Sequence, residues 1–383
     1  MKPTLTFYTN IVSPYQLNFF DELASRFSLK VVFYSQSESD REWDLPVENL
    51  AYEVVTLSNG LMAKTVQKFI PSFHFSTKIL SVAMGDKSEF VILGGNYFIP
   101  NTLIALFVCA VKRKNVYWFG ERLLPSGPIK TIIKKVMLQP VIRLTNSIFA
   151  VGEEGINSYI RYGYTKPCFN IPYNIDDRKF DVEFMDSTRL AALREKHNPS
   201  KKLIVLTSGS LIARKGMDTA IKAFKAVDEK NRGNAELWIL GDGLQRSELE
   251  RLADGVESIR FLGFLQPEEI PFIFVLSDIF LFCSRYDGWA VVINEALSAG
   301  LPVVTTNAAS ACELIVAGET GYIHDAEAIH DYSASLDLLL SNASLRSEMA
   351  RKGKLTAKSW NSASMADKVL GVIVDSDYQA NVK

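Results

Sequence analysis

The sequence predicts an α/β protein built as two halves, each a parallel sheet covered by helices. Short apolar runs of strand length alternate with helix-period patterns along the whole chain, which favours parallel sheets. The alternation restarts after a polar, charge-dense break over 176–202. The length, 383 residues, gives two or three domains at about 150 residues each.

In the first half the strand candidates are 5–8, 29–34, 90–93, 116–118 and 147–150, with a helix at 17–24. In the second they are 203–207, 236–240, 259–261, 279–282 and 302–305. Helices are expected at 217–227, 326–340 and 345–358, and a last one from Ser359 to Val374. The domain expectation is 1–176, 177–358 and a terminal segment, 359–383. Ligands of open α/β sheets bind at the carboxyl ends of the strands. Two such sheets facing each other would form a cleft suited to a small molecule.

Composition excludes several classes. Hydrophobic content of 48% and charge of 22% fit an ordinary soluble globular protein. The net charge of −1 gives no whole-chain attraction to nucleic acid. Cys109, Cys168, Cys283 and Cys312 are far apart in apolar surroundings, which predicts buried thiols in a reducing compartment, with no disulfide framework or zinc site. The first residues enter a strand pattern without the apolar region of a signal peptide. The longest apolar run, 102–111, is too short to span a bilayer. The expectation is a cytoplasmic chain, with a role on the inner membrane surface open.

The most specific segment is 284–306, SRYDGWAVVINEALSAGLPVVTT. Asp287 precedes Glu295 with seven residues between them, and Ala299-Gly300-Leu301-Pro302 leads into a buried strand. Gly288 permits a turn, and Asp287 is a good N-cap for a helix starting there. Such a helix, beginning with Gly288, Trp289, Ala290 and Val291, would point free N–H groups and its positive dipole end at a diphosphate. Glu295, two turns in, can accept hydrogen bonds from sugar hydroxyls. The bland alternative is a capped surface helix carrying a chance acid.

Three earlier loops add to this. Gly209-Ser210-Leu211 through Arg214-Lys215-Gly216 follows a strand and precedes a helix, so its glycine allows close approach and Lys215 offers a point charge to phosphate. Gly241-Asp242-Gly243 follows LWIL, and Gly263-Phe264-Leu265 follows IRFL. Each also reads as a plain strand–helix turn. Arg285 can meet phosphate, although a solvated surface arginine is the commoner meaning.

The acid-x7-acid spacing followed by Ala-Gly-x-Pro resembles the donor-site signature of retaining glycosyltransferase family 4, the glycosyl transferases group 1. Gly-x-Leu with Lys-Gly, the Gly-Asp-Gly turn, Glu313 and Glu319-Thr320-Gly321 fit the same pattern. The chain departs from it with Asp287 for the commoner Glu, Ser210 for an Arg, and Glu121-Arg122 where many members carry a histidine. The resemblance is strong over 209–321 and weaker before 176. It implies two Rossmann-like domains facing across a cleft, the GT-B fold, with a terminal helix returning to the first domain.

It also implies transfer of a sugar from a nucleoside diphosphate sugar with retained configuration to a glycan or lipid-linked acceptor. Asp287 would contact the donor sugar, Glu295 the ribose, and Lys215 and Arg214 the diphosphate, with the Gly263-Phe264-Leu265 loop against the base. No His/Cys cluster suggests a metal or other cofactor. In the first half Asn10, Ser13, Gly95 and Asn96 lie after strands and can meet an acceptor, or serve only as caps and turns. Glu121 stands in for the histidine. Two alternatives remain: an epimerase of the same fold, and a nucleotide-sugar-binding protein that has lost catalysis.

From Lys112 to Arg143 there are eight basic residues against one acid, Glu121. Ile129, Ile132, Ile133, Val136 and Met137 keep helical spacing there. The simpler expectation is that this stripe packs on the sheet, with Pro140 kinking or ending the helix. The basic excess also fits attraction to an anionic leaflet, at roughly 1 kcal/mol per basic residue.

Overall fold

The computed structural model describes residues 2–11, 13–36, 50–58, 61–67, 70, 73–198 and 200–374. Val12, within the first predicted ligand loop, and the tail after Val374 lie outside them. The chain forms two compact units, Met1–Asn174 with Ser362–Lys383, and Ile175–Asn361.

The first unit holds a seven-stranded sheet: β1 (Thr4–Thr9), β2 (Ser28–Phe33), β3 (Glu53–Thr56), β4 (Phe90–Gly94), β5 (Asn115–Gly120), β6 (Ser147–Ala150) and β7 (Cys168–Asn170). Their order is β3-β2-β1-β4-β5-β6-β7, all parallel. The second holds six: β8 (Leu203–Ser208), β9 (Ala235–Leu240), β10 (Ile259–Gly263), β11 (Ile279–Phe282), β12 (Val303–Thr306) and β13 (Gly321–His324). Their order is β10-β9-β8-β11-β12-β13, again parallel. The central strands are continuous apolar runs because helices cover both faces. Every residue of β4, β6, β11 and β12 is buried.

The strand order reverses between β1 and β4 in one sheet and between β8 and β11 in the other. At such a point the loops on neighbouring strands diverge and leave a crevice at the carboxyl ends. This is the feature of the fold that positions the candidate site.

The helix Ser362–Val374 belongs to the first unit and lies against the helix Pro14–Arg26, where Arg26 Nε meets Asp367 Oδ1 at 2.7 Å. Lys368 Nζ donates to the Asn170 carbonyl at 2.8 Å.

Several expectations are corrected. The strands β3, β7 and β13 were not anticipated; each has four residues or fewer and lies at a sheet edge. The helix Pro128–Leu144 continues past Pro140, so the proline does not end it. The stripe on that helix does not pack on the sheet either. Leu138 and Val141 are its buried residues, while Ile129, Ile132 and Val136 are 74%, 63% and 66% exposed. Cys109 and Cys283 are buried, but Cys168 and Cys312 are only half-buried.

Candidate functional site

In the second unit, the loops after β8 and β11 meet at the reversal point. Gly216 makes the contact possible. Its φ is +65°, and a Cβ there would lie 1.9 Å from the Cys283 carbonyl oxygen. Around this glycine the backbone of each loop binds the other. Arg285 N donates to the Arg214 carbonyl at 2.8 Å, Ser284 Oγ to the same carbonyl at 3.0 Å, and Arg214 Nη1 to the Tyr286 carbonyl at 2.8 Å.

The result is a charge cluster. Lys215 Nζ lies 2.5 Å from Asp287 Oδ2, and Arg214 Nη1 lies 3.6 Å from the same oxygen. The Lys215 ammonium also sits 5.6 Å from the centre of the Phe282 ring, a position suited to a cation–π contact. Lys215 and Asp287 are largely shielded from solvent, whereas Arg214 is 44% exposed. Two cations on one carboxylate leave a net positive locus.

Asp287 is not the helix N-cap. Its Oδ1 accepts from Trp289 N at 3.3 Å, closing a short turn, and the helix begins only at Val291. The residue before it, Ala290, has φ +73°, a left-handed conformation that costs a non-glycine residue on the order of 1 kcal/mol. No side chain caps this helix. The helix thus opens on the amides of Val291 and Val292, with Asp287 committed elsewhere.

The same helix carries Glu295, which is only 5% exposed. Burial pushes its carboxyl from the ordinary 4.5 up to about 8. A carboxyl so buried is suited to a ligand that brings its own hydroxyl donors. Trp289 is buried, its Nε1 donating to Asn294 Oδ1 at 3.0 Å and its ring 6.4 Å from Trp360. This residue offers a ligand its backbone, not its indole.

The glycine loops prove to be joints between strands. A Cβ at Gly241 would fall 2.1 Å from the Gly209 carbonyl oxygen. Gly209 N donates to Leu240 O at 3.0 Å, Leu211 N to Asp242 O at 2.9 Å, and Gly241 N to Gly263 O at 2.9 Å. Thus the loops after β8, β9 and β10 are zipped side by side. Ser210 is exposed beside them, Leu265 is half-buried, and Phe264 presents a ring 70% exposed at the end of β10.

Arg285 is committed to structure. It pairs with Asp218 at 2.8 Å and Glu327 at 2.5 Å, and donates to the Ala213 carbonyl at 2.6 Å. Burial opposes ionisation of Asp218, but hydrogen bonds from Arg285 and Lys222 outweigh it and lower its pKa to about 2. A depression of about 500 Å³ bounded by Asp218, Glu248, Arg251 and Arg285 adjoins this network. Its lining mixes the acids Asp218 and Glu248 with the bases Lys222, Arg251 and Arg285.

In the first unit the reversal point joins Asn10, after β1, to Gly95, after β4. Gly95 has φ +105°, and a Cβ there would lie 2.6 Å from Asn10 Oδ1 and 3.3 Å from Thr102 Oγ1. Among the described residues, Asn10 Oδ1 is buried without a hydrogen-bond partner. Ser13 stands at the N-cap of the helix Pro14–Arg26, yet its side chain makes no capping bond. Asn96 is exposed just beyond. Glu121, after β5, accepts from Tyr173 Oη at 2.7 Å. Sequence reasoning missed Phe282 beneath the Lys215 ammonium and Thr102 beside Gly95. Both read as ordinary buried positions, and only proximity reveals them.

Residues 191–356 match the family model described as glycosyl transferases group 1. Alpha-D-kanosaminyltransferase of Streptomyces kanamyceticus is 29% identical over 188 residues, covering 48% of each chain. The lipopolysaccharide core biosynthesis glycosyltransferase LpsE of Rhizobium meliloti is 30% identical over 161 residues, 41% of this chain and 45% of LpsE. The matches thus span about half the length of these relatives. Among solved structures, HepE of Anabaena in complex with UDP aligns over 97% of this chain and 99% of its own, with a TM-score of 0.77 and 15% identity. That likeness shows the fold, two parallel sheets with helices of the GT-B class.

Proposed function

We propose that this chain, whose residues 191–356 match the model of the glycosyl transferases group 1 family, is a retaining glycosyltransferase. It moves a hexose-type sugar from a nucleoside diphosphate sugar to a glycan or lipid-linked acceptor in the synthesis of cell-surface polysaccharide. The observation that carries this reading is the cluster of Lys215, Arg214 and Asp287 at the β8/β11 reversal point, beside an uncapped helix that also bears Glu295.

Breaking the bond between the sugar and the diphosphate leaves negative charge on the leaving group. Lys215 has three N–H donors, so it can hold Asp287 with one and meet phosphate oxygen with another. Arg214 and the Val291 and Val292 amides add positive potential without further reorganisation. Asp287 keeps both cations oriented and contacts the donor sugar. Glu295 receives the ribose hydroxyls, and the exposed Phe264 lies against the base. Asn10, Ser13, Gly95, Asn96 and Glu121 lie at the carboxyl ends of the first sheet and are assigned to the acceptor. UDP is the first nucleotide to try, since HepE binds it.

The test is a thermal-shift panel of UDP-, GDP-, ADP- and CMP-sugars on the wild type and Lys215→Ala, with and without EDTA, followed by turnover with candidate acceptors. One nucleotide class should stabilise the wild type by about 2.7 kcal/mol at a hundredfold excess over its Kd. Lys215→Ala should lose most of that shift. Binding with no hydrolysis or transfer under any acceptor would instead favour a nucleotide-sugar-binding protein whose Lys215 is neutralised by Asp287.

A further inference from the structure

We propose that Trp360 is a positioning residue for the donor loop. Through Trp289 it couples occupancy of the site at Lys215 and Asp287 to the two segments by which the chain enters and leaves the second unit. This role presupposes the nucleotide site proposed for that loop.

The chain passes into the second unit after Asn174 and out of it after Asn361. Within that unit the two segments are joined, since Asn361 Nδ2 donates to Asp177 Oδ1 at 3.1 Å. They are also built onto the helix Val291–Ala299, which carries Glu295. The short 3₁₀ turn Asp177–Phe180 packs on this helix, and Phe180 is buried with its ring edge-on to Phe274 at 5.5 Å. Lys354 crosses the end of the same helix, where a Cβ at Gly300 would fall 2.9 Å from Lys354 Cε. Its ammonium goes on to meet Asp181 Oδ1 at 3.0 Å.

Trp289 ties this brace to the donor loop with each of its parts. Its backbone N–H donates to Asp287, the carboxylate that holds Lys215. Its carbonyl accepts from Ala311 N at 2.8 Å. Its indole donates to Asn294, next to Glu295. Its ring meets Trp360, the residue before Asn361, at 6.4 Å with the planes 35° apart, the spacing of an aromatic pair in contact. Beside it Ala290 keeps a left-handed conformation, and such strain persists only where the surroundings over-determine it. The loop cannot readjust on a ligand without moving the buried indole. A close-packed interior transmits that displacement to Trp360 instead of absorbing it.

Coupling of this kind is reciprocal. A nucleotide that orders the loop stabilises the segment 177–185, and loosening that segment weakens nucleotide binding. A Trp360 that served only stability would do neither, because its loss would affect the free and bound chains alike.

Hydrogen exchange of the full chain over 177–185 is followed by mass spectrometry, with and without UDP or GDP, and calorimetry gives the affinities. The proteins are wild type, Trp360→Phe, Trp360→Leu and Asn361→Ala, with circular dichroism to confirm folding. In wild type, nucleotide should slow exchange at Lys179, Asp181, Phe184 and Met185, whose amides close the turns there, by about fivefold or more. Trp360→Phe should keep this response and Trp360→Leu should lose it. Asn361→Ala, assigned no contact with nucleotide, should weaken binding by up to the same factor. Nucleotide that binds while 177–185 exchanges unchanged would overturn the coupling and leave the donor site standing, as would a full response in Trp360→Leu. Should that variant not fold, an unaltered affinity in Asn361→Ala would overturn it equally. Failure of both nucleotides to bind wild type would overturn the donor site and the coupling together.

Discussion

Glu295→Gln should make the second unit less sensitive to alkaline pH while weakening donor binding. In the folded chain burial holds the Glu295 carboxyl protonated until about pH 8, while the ordinary value is 4.5. The unfolded chain therefore releases this proton first. Between these two values the folded state holds one proton more, so stability falls as pH rises, by about 1.4 kcal/mol per pH unit. Above pH 8 both states are ionised and the slope disappears.

From pH 5 to pH 8.5 the wild type should thus lose about 4 kcal/mol that the glutamine variant keeps. Urea unfolding of both proteins at the two pH values, followed by tryptophan fluorescence, reads the difference of differences. Trp238, Trp289 and Trp360 report on this unit. Donor affinity should move the other way. With the proposed ribose contact, hydroxyls would donate to the carboxylate form, so wild-type binding should tighten as pH rises toward 8, and the glutamine variant should show weaker, pH-independent binding. Equal pH slopes of stability for the two proteins would refute the assignment of a protonated, buried Glu295.

Asp287→Asn removes the anion that occupies Lys215 and Arg214, so free nucleoside diphosphate should bind more tightly, by about tenfold, while turnover falls; calorimetry and a transfer assay separate the two effects. Arg285→Ala should destabilise the second unit by about 1–3 kcal/mol, because Asp218 and Glu327 lose their partner, and should leave nucleotide affinity per folded molecule unchanged. A selective loss of affinity would mean that Arg285 meets phosphate after all. Gly216→Ala places a methyl group against the Cys283 carbonyl at a positive φ and should cost several kcal/mol, at least ~2. An unaltered melting temperature would show that the two loops are not held together there.

Much of the fold was legible because the central strands are apolar on both faces and need no partner to be recognised. Ile279–Phe282 and Ser147–Ala150 coincide with their sequence limits for that reason. Edge strands such as Glu53–Thr56, whose residues are half-buried or exposed, have no such signature and form only against an existing neighbour. The helix start after Asp287 was misplaced because Asp–Gly reads equally as a cap or a turn. The turn won when Asp287 closed on Trp289 N and Ala290 took a left-handed conformation.

Composition, strand periodicity and the spacing of Asp287, Glu295, Lys215 and the loop glycines determined by themselves the class of the protein, the existence of two sheets and the short list of candidate residues. These are local properties, written within a few turns or strands of chain. Tertiary structure alone decided that Lys215 and Asp287, 72 residues apart, share a proton-bearing contact, and that Arg285 between them belongs to Asp218. It also decided which face of the helix Pro128–Leu144 is buried. A helical period shows that two faces exist, but the choice between them depends on which side chains, here Leu138 and Val141, complete the core that the sheet and its other helices leave open.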